Sequence, residues 1–211
     1  MSGVWGIVVA AGWGERFGGP KQFSDLGGAR LVDHAVETAA TACDAVVVVV
    51  PDAAAWQGAR VAAVVNGGST RAASVRAGLA AVPHDAEIIV VHDAARPLAG
   101  VALFESVIDA VRAGADGAVP GIAVADTLKR VEDVRVTATV DRVGLVAVQT
   151  PQAFRAAALR AAHAGRADAT DDAALVEALG GEVVVVPGDP RNLKVTGPAD
   201  LMIAAALLEV S

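Results

Sequence analysis

The residues best suited to chemistry begin with a glycine-rich stretch, AAGWGERFGGPKQ at residues 10–22. Its glycines let the backbone approach a ligand closely and turn N–H groups toward it. Arg16 and Lys21 add two nearby cations, so the stretch has the composition of a polyphosphate cradle. Two familiar phosphate loops do not fit it. The dinucleotide fingerprint needs G-x-G-x-x-G, but after Gly12 and Gly14 the third glycine, Gly18, falls one position late, and the acidic residue expected about 20 positions on is missing. A Walker A loop needs Gly-Lys followed by Ser or Thr, whereas Lys21 stands between Pro20 and Gln22.

Three further segments carry candidate groups. In VVHDAARP, residues 90–97, Asp93 and Ala94 follow an apolar run, where open α/β sheets place their ligands. A single hard carboxylate there suits Mg²⁺, which keeps several waters and binds through one or two carboxylates plus substrate phosphates. The plain structural alternative is a turn cap in which Asp93 pairs with Arg96. His92 reads as a satisfied strand-end residue without a catalytic role. In GGSTRAAS, residues 67–74, Ser69 or Thr70 can cap a helix, while the glycine pair ending in Gly68 suggests close approach to a flat base or sugar. In NLKVT, residues 192–196, Lys194 stands between apolar neighbours on a short strand, and snorkelling to solvent and entry into a site are evenly matched.

The elements that must position these groups follow from the apolar pattern. Val- and Ile-rich runs at 4–10, 45–50, 61–65, 88–91, 117–120 and 183–186 alternate with alanine-rich helical stretches at 31–41, 70–81, 103–113, 152–164, 171–179 and 198–208. Such alternation predicts a doubly wound α/β domain with a mostly parallel sheet, its strands buried on both faces. Residues 124–148 break the pattern with short alternating pieces and flanking charges, and read as a hairpin-like arm projecting from the sheet. Neither a repeat nor a low-complexity linker divides the chain, which reads as one domain over residues 1–211.

Composition narrows the classes. Hydrophobic residues make up 54% of the 211-residue chain, but charges interrupt them before any run reaches membrane-spanning length. The first residues carry no basic leader, so the expectation is a cytoplasmic protein. The formal net charge of −7 argues against a nucleic-acid partner. Cys43 is the only cysteine, which excludes an internal disulfide and fits a role as apolar filler.

Taken in order, AAGxGxR…PKQ, HDAARP, DTLKR, DRxGL, QTPQ, TDD and NLKVT resemble the 2-C-methyl-D-erythritol 4-phosphate cytidylyltransferase family over residues 4–205. The resemblance implies a Rossmann-like nucleotidyltransferase domain that uses CTP and Mg²⁺ in isoprenoid biosynthesis by the non-mevalonate route. It implies that Arg16 and Lys21 stabilise the α-phosphate with help from Lys194, and that Asp93 holds the metal and contacts the ribose. Ala10, Ala11, Gly12, Gly14, Gly68, Ser69, Ser74 and Ala94 would line the nucleotide pocket, and Thr127 and Arg142 would bind the acceptor. It further implies a homodimer whose arms reach the partner's site. Ser69 stands where relatives often have Asp, which leaves base recognition to the backbone and Ser74, and Arg191 stands where they are often acidic. A ribitol 5-phosphate cytidylyltransferase, another nucleotidyltransferase of the same superfamily, and an idle nucleotide-binding regulatory domain are the alternative readings.

Overall fold

A computed structural model describes residues 3–14, 17–165 and 169–209. The first half of the chain forms β1 (Val4–Val9), the short pair β2 (Asp25–Leu26) and β3 (Ala29–Arg30), α1 (Leu31–Ala42), β4 (Ala45–Val50), β5 (Ala63–Asn66), α2 (Arg71–Ala81) and β6 (Ile88–Asp93). The second half forms α3 (Val101–Arg112), β7 (Gly117–Ala123), β8 (Leu128–Glu132), β9 (Arg135–Val140), β10 (Val146–Val148), β11 (Gln152–Arg155), α4 (Ala156–Ala164), α5 (Asp172–Glu177), β12 (Val183–Pro187) and α6 (Pro198–Glu209).

The main sheet runs β5-β4-β1-β6-β11-β7, with β10 and β12 also paired to β7. β5, β4, β1 and β6 are parallel neighbours, as are β7 and β12, while β10 and β11 run antiparallel. β4 and β6 are almost wholly buried because helices cover both faces, which is why their β-branched runs do not alternate with polar residues. One apolar core lies between the sheet and α1 and α3, a second between the sheet and α2, α4 and α5, and a smaller cluster gathers Leu26, Leu31, Val195 and Ala204. Cys43 is buried in the first core as expected.

Several expected elements are corrected. The helix expected from residue 152 begins at Ala156, and Gln152–Arg155 is instead β11. Its backbone joins β6 to β7, pairing Ala153 with both Val90 and Ala118. Those strands would otherwise leave buried N–H and C=O groups unmatched. The strand expected at 117–120 extends to Ala123, and its extra residues pair with Val146–Val148. The end of the expected arm therefore belongs to the main sheet, and the projecting hairpin is β8 and β9, which among the described residues pair only with each other. The strand expected at 61–65 lies at Ala63–Asn66. The β2–β3 hairpin was not expected. Its turn uses Gly27 and Gly28 at φ +64° and +90°, the left-handed pair that a tight two-residue hairpin demands.

In register, Val9 at the end of β1 lies beside Asp93 at the end of β6, and Val50 lies beside Asn66. The loops after β1, β5 and β6 consequently meet at one edge of the sheet. A Cβ on Gly78 would sit 2.6 Å from Ile7 Cγ2 and 3.1 Å from Val49 Cγ2, so only glycine lets α2 lie this close and bring its first turn to the same edge.

Candidate active site

At that edge lies a cavity of about 530 Å³, lined by Val9, Ala10, Ala11, Gly12, Trp13, Gly14, Lys21, Gln22, Gly68, Ser69, Thr70, Arg71, Ser74, Asp93, Ala94, Ala95 and Lys194. The glycine loop is folded by its own backbone. Gly14, at φ +65°, offers its carbonyl to the N–H groups of Phe17 and Gly18 at 2.8 and 3.0 Å. Buried Gln22 donates from Nε2 to the Gly12 carbonyl at 3.0 Å, tying the end of the loop to its start. Lys21 is thereby held on the cavity wall. Arg16, the other expected cation, lies outside the described residues.

Asp93 is 8% exposed and sits between two cations. Arg71 donates from Nε to Oδ1 at 3.0 Å, and Lys194 donates from Nζ to Oδ2 at 2.6 Å. Burial by itself would raise the Asp93 pKa, but Arg71 and then Lys194 outweigh it and hold the carboxyl well below the usual carboxylate range. Arg71 also donates from Nη1 to Asp172 Oδ2 at 2.8 Å. Burial disfavours its charge, yet Asp93 and Asp172 together raise its pKa.

The pairing of Asp93 with Arg96 does not form. Arg96 instead donates from Nη1 to the Asn192 carbonyl at 2.7 Å and from Nη2 to the Val148 carbonyl at 3.4 Å. Its guanidinium thus braces the loop that carries Lys194. Residues 192–196 form no strand. Val195 is buried and donates its N–H to the Ala95 carbonyl at 2.7 Å, which leaves Lys194 facing the cavity. Entry into the site, the possibility left open by sequence, is what the structure shows.

His92 is neutral at ordinary pH, because burial lowers its pKa to about 4 against the opposing pull of Asp93. Its Nδ1 lies 3.1 Å from Thr150 Oγ1, which accepts the Asp93 N–H at 3.0 Å, and its Nε2 lies 3.1 Å from the Arg96 carbonyl. With Thr150 accepting from Asp93, its hydroxyl donates to Nδ1, and the His92 proton sits on Nε2. His92 accordingly supports the backbone at Asp93.

Thr70 is the N-cap of α2, accepting from Ala73 N at 3.1 Å, and Ser69 lines the cavity beside it. Ser74 Oγ accepts from Gly68 N at 3.2 Å and donates to the Thr70 carbonyl at 3.0 Å. Its hydroxyl therefore shapes the loop as well as the wall.

A second cavity of about 220 Å³ adjoins the first through the shared residues Arg71, Asp93 and Lys194, and is completed by Arg96, Val148, Gln149, Thr150, Gln152, Thr170 and Asp171. Thr127 and Arg142 line neither cavity. Both are exposed on the arm, where Arg142 donates to the Val124 and Ala125 carbonyls rather than to Asp141 or Glu132.

Arg71, which lines both cavities, is not among the residues expected at the site. A usable signal was present, since a cation in the first turn of a helix opposes the helix dipole and needs carboxylate partners. For a divalent cation, no group of three or more His, Cys, Asp or Glu assembles among the described residues. Asp93 Oδ2 already faces an ammonium at 2.6 Å. One hard carboxylate facing a cation position fits a metal held jointly with substrate phosphates and water, not by a protein cage.

The model of the family described as "IspD: 2-C-methyl-D-erythritol 4-phosphate cytidylyltransferase" matches residues 4–210. This chain belongs to that family. A 2-C-methyl-D-erythritol 4-phosphate cytidylyltransferase of Nocardia farcinica is 47% identical, covering 98% of this chain and 94% of its own. The crystal structure of the enzyme of that name from Thermus thermophilus superposes with a TM-score of 0.84 at 35% identity, covering 96% of this chain and 98% of its own. A bifunctional IspD/IspF enzyme of Clavibacter michiganensis is 46% identical over 96% of this chain, which spans 53% of that protein.

Proposed function

We propose that the chain, acting as one nucleotidyltransferase domain, transfers CMP from CTP to 2-C-methyl-D-erythritol 4-phosphate, giving 4-diphosphocytidyl-2-C-methyl-D-erythritol and pyrophosphate in the non-mevalonate pathway. The observation that carries this reading is the pair of cavities that share Arg71, Asp93 and Lys194. The larger has the glycine loop and Lys21 for a nucleoside triphosphate. The smaller suits a compact polyol phosphate, with Arg96 on its wall and Thr150, Gln152 and Thr170 for hydroxyl groups.

The acceptor's phosphate is largely a dianion at pH 7, so it attacks the α-phosphorus without a general base. A new P–O bond forms there, the bond to the bridging oxygen breaks, and pyrophosphate leaves. Lys21, Arg16 and Lys194 neutralise the charge that develops, which is the main task in phosphoryl-type transfer. Mg²⁺, held by Asp93 together with the triphosphate, supplies further charge neutralisation when bound. Lys194 then turns from Asp93 to the phosphate. The walls formed by Ala10, Ala11, Gly12, Gly14, Gly68, Ser69, Ser74 and Ala94 hold the cytidine.

Thr127 and Arg142 serve the acceptor from the partner of a homodimer. The arm is a lone two-stranded sheet, marginal in water without a surface to pack on, and it exposes Val131, Val134, Val136 and Val143. The reaction belongs to the cytoplasm, where small phosphorylated substrates of this kind are held. No helix of the described residues is long and apolar enough to cross a membrane.

The test is pyrophosphate release with CTP, Mg²⁺ and methylerythritol phosphate, with ribitol 5-phosphate as the competing acceptor and the product identified by mass spectrometry. Preference for ribitol 5-phosphate would replace the acceptor. CTP binding without turnover on any acceptor would leave an idle nucleotide-binding domain.

A further inference from the structure

Behind Asp93 lies a chain of buried polar groups that the reaction above does not use. Arg71 joins two carboxylates, Asp93 inside the cavity at 3.0 Å and Asp172 outside it at 2.8 Å. Asp172 has a side chain 1% exposed, at the first residue of α5, and its other oxygen lies 2.8 Å from His163 Nε2 at the end of α4. The His163 side chain is 2% exposed, and neither Asp172 nor His163 lines either of the two cavities described above. Among the described residues, His163 Nδ1 has no hydrogen-bond partner, so its one polar contact points at Asp172. An imidazole and a carboxylate are costly to bury merely to join two helices that already share apolar contacts.

We propose that His163 and Asp172 are positioning residues that fix the Arg71 guanidinium, and through it the rotamer of Asp93 on the wall common to both cavities. The Asp172 carboxylate accepts from His163 on one oxygen and from Arg71 on the other, so the plane of the carboxylate sets the plane of the guanidinium. Arg71 Nε is thereby aimed at Asp93 Oδ1, and Asp93 keeps Oδ2 turned toward the cation position that Lys194 fills. Carboxylate–histidine pairs behind a ligand act in this way in other sites.

The kinetic half of the test rests on the cytidylyl transfer proposed above. Asp172→Ala and His163→Leu should each lower kcat by about tenfold to a hundredfold, the usual scale for such outer partners, with KM for CTP little changed. His163→Gln, which restores a donor near Nε2, should recover most of the activity. In an Arg71→Lys background, Asp172→Ala should cost almost nothing more, because it acts only through the guanidinium.

A second readout needs neither substrate nor metal. The Arg71 Nε–H resonance, identified by its loss in Arg71→Lys, should be sharp and slow to exchange in the parent and in His163→Gln, and broadened in His163→Leu. A chain that does not turn over CTP would fail the proposed reaction and still give this spectroscopic result. An unchanged Arg71 resonance across all variants, or a full additional kcat loss from Asp172→Ala in the Arg71→Lys background, would overturn the proposal. If Asp172→Ala does not fold, the two His163 variants decide it by the same resonance and by rescue.

Discussion

Lys21 and Lys194 reach the main cavity from opposite ends of the chain, one on a loop pinned by Gln22 and the other on a loop braced by Arg96 and Val195. Loops fixed before the substrate arrives leave only the lysine side chains to be placed when the transition state forms. Lys21→Ala should therefore lower turnover by about a hundredfold or more in protein that circular dichroism shows to be folded, and the same is expected of Arg16→Ala. Near-parental rates would remove both from the mechanism. For Asp93, activity should vanish in EDTA and return with Mg²⁺, and Asp93→Asn should need more metal. Activity indifferent to EDTA would exclude the metal.

His92 gives a pH dependence with a definite sign. Its folded pKa, about 4, lies below the ordinary value of 6.5, so the unfolded chain binds the proton more readily between those values. Its contribution is fully present above about pH 6.5 and is lost as the pH falls toward 4, by about 3 kcal/mol at most. In EDTA, denaturant titrations of the parent from pH 7 to 4.5 should show a steeper fall in stability than those of His92→Gln. Equal slopes would mean that His92 does not titrate as its burial requires. At this scale Asp93 and Lys21 were legible because a carboxylate or a cation beside glycines at a strand end has few other uses. Arg71 and Asp172 were not, because their contact joins positions separated by 101 residues, and a cation in the first turn of a helix does not by itself say which carboxylate it meets.

Among the elements, α2 helps to shape the cavity, since its first turn supplies Arg71 and Ser74 while Gly78 sets its distance from the sheet. Gly78→Val should push the helix outward, lower stability by about 1–3 kcal/mol as overpacking does, and reduce kcat by displacing Arg71. Urea denaturation with parallel kinetics would check this, and a variant equal to the parent in both would mean that the helix has room to shift. The buried parallel strands were legible because their Val and Ile runs lack alternation. β11 was not, because Gln152-Ala153-Phe154-Arg155 abuts an alanine-rich helix without a break, and only the open backbone edges of β6 and β7 draw it into the sheet. The β2–β3 hairpin had its signal in Gly27-Gly28, hidden by the shortness of its strands.

For the whole molecule, the proposed homodimer has a direct test. Arg142→Ala and Lys21→Ala should each be nearly inactive alone, while co-expressed chains should form heterodimers with one intact site and one site lacking both residues. Recovery of up to about half the parental activity per heterodimer is expected from site counting in a two-fold dimer. No recovery in proven heterodimers, or a fully active monomer in sedimentation, would confine Arg142 to its own chain, where it already holds the base of the arm through the Val124 and Ala125 carbonyls.

The wall between the two cavities has a thermodynamic corollary. If Lys194 leaves Asp93 for a nucleotide phosphate, as proposed, the compartment on the other side changes its charge and shape in the same event. Occupancy of one compartment and affinity in the other are then linked functions, and reciprocity follows. Whatever factor the nucleotide applies to acceptor binding, the acceptor must apply to nucleotide binding. On the proposed mechanism, the coupling between the two substrates would rest on a single lysine's choice of partner.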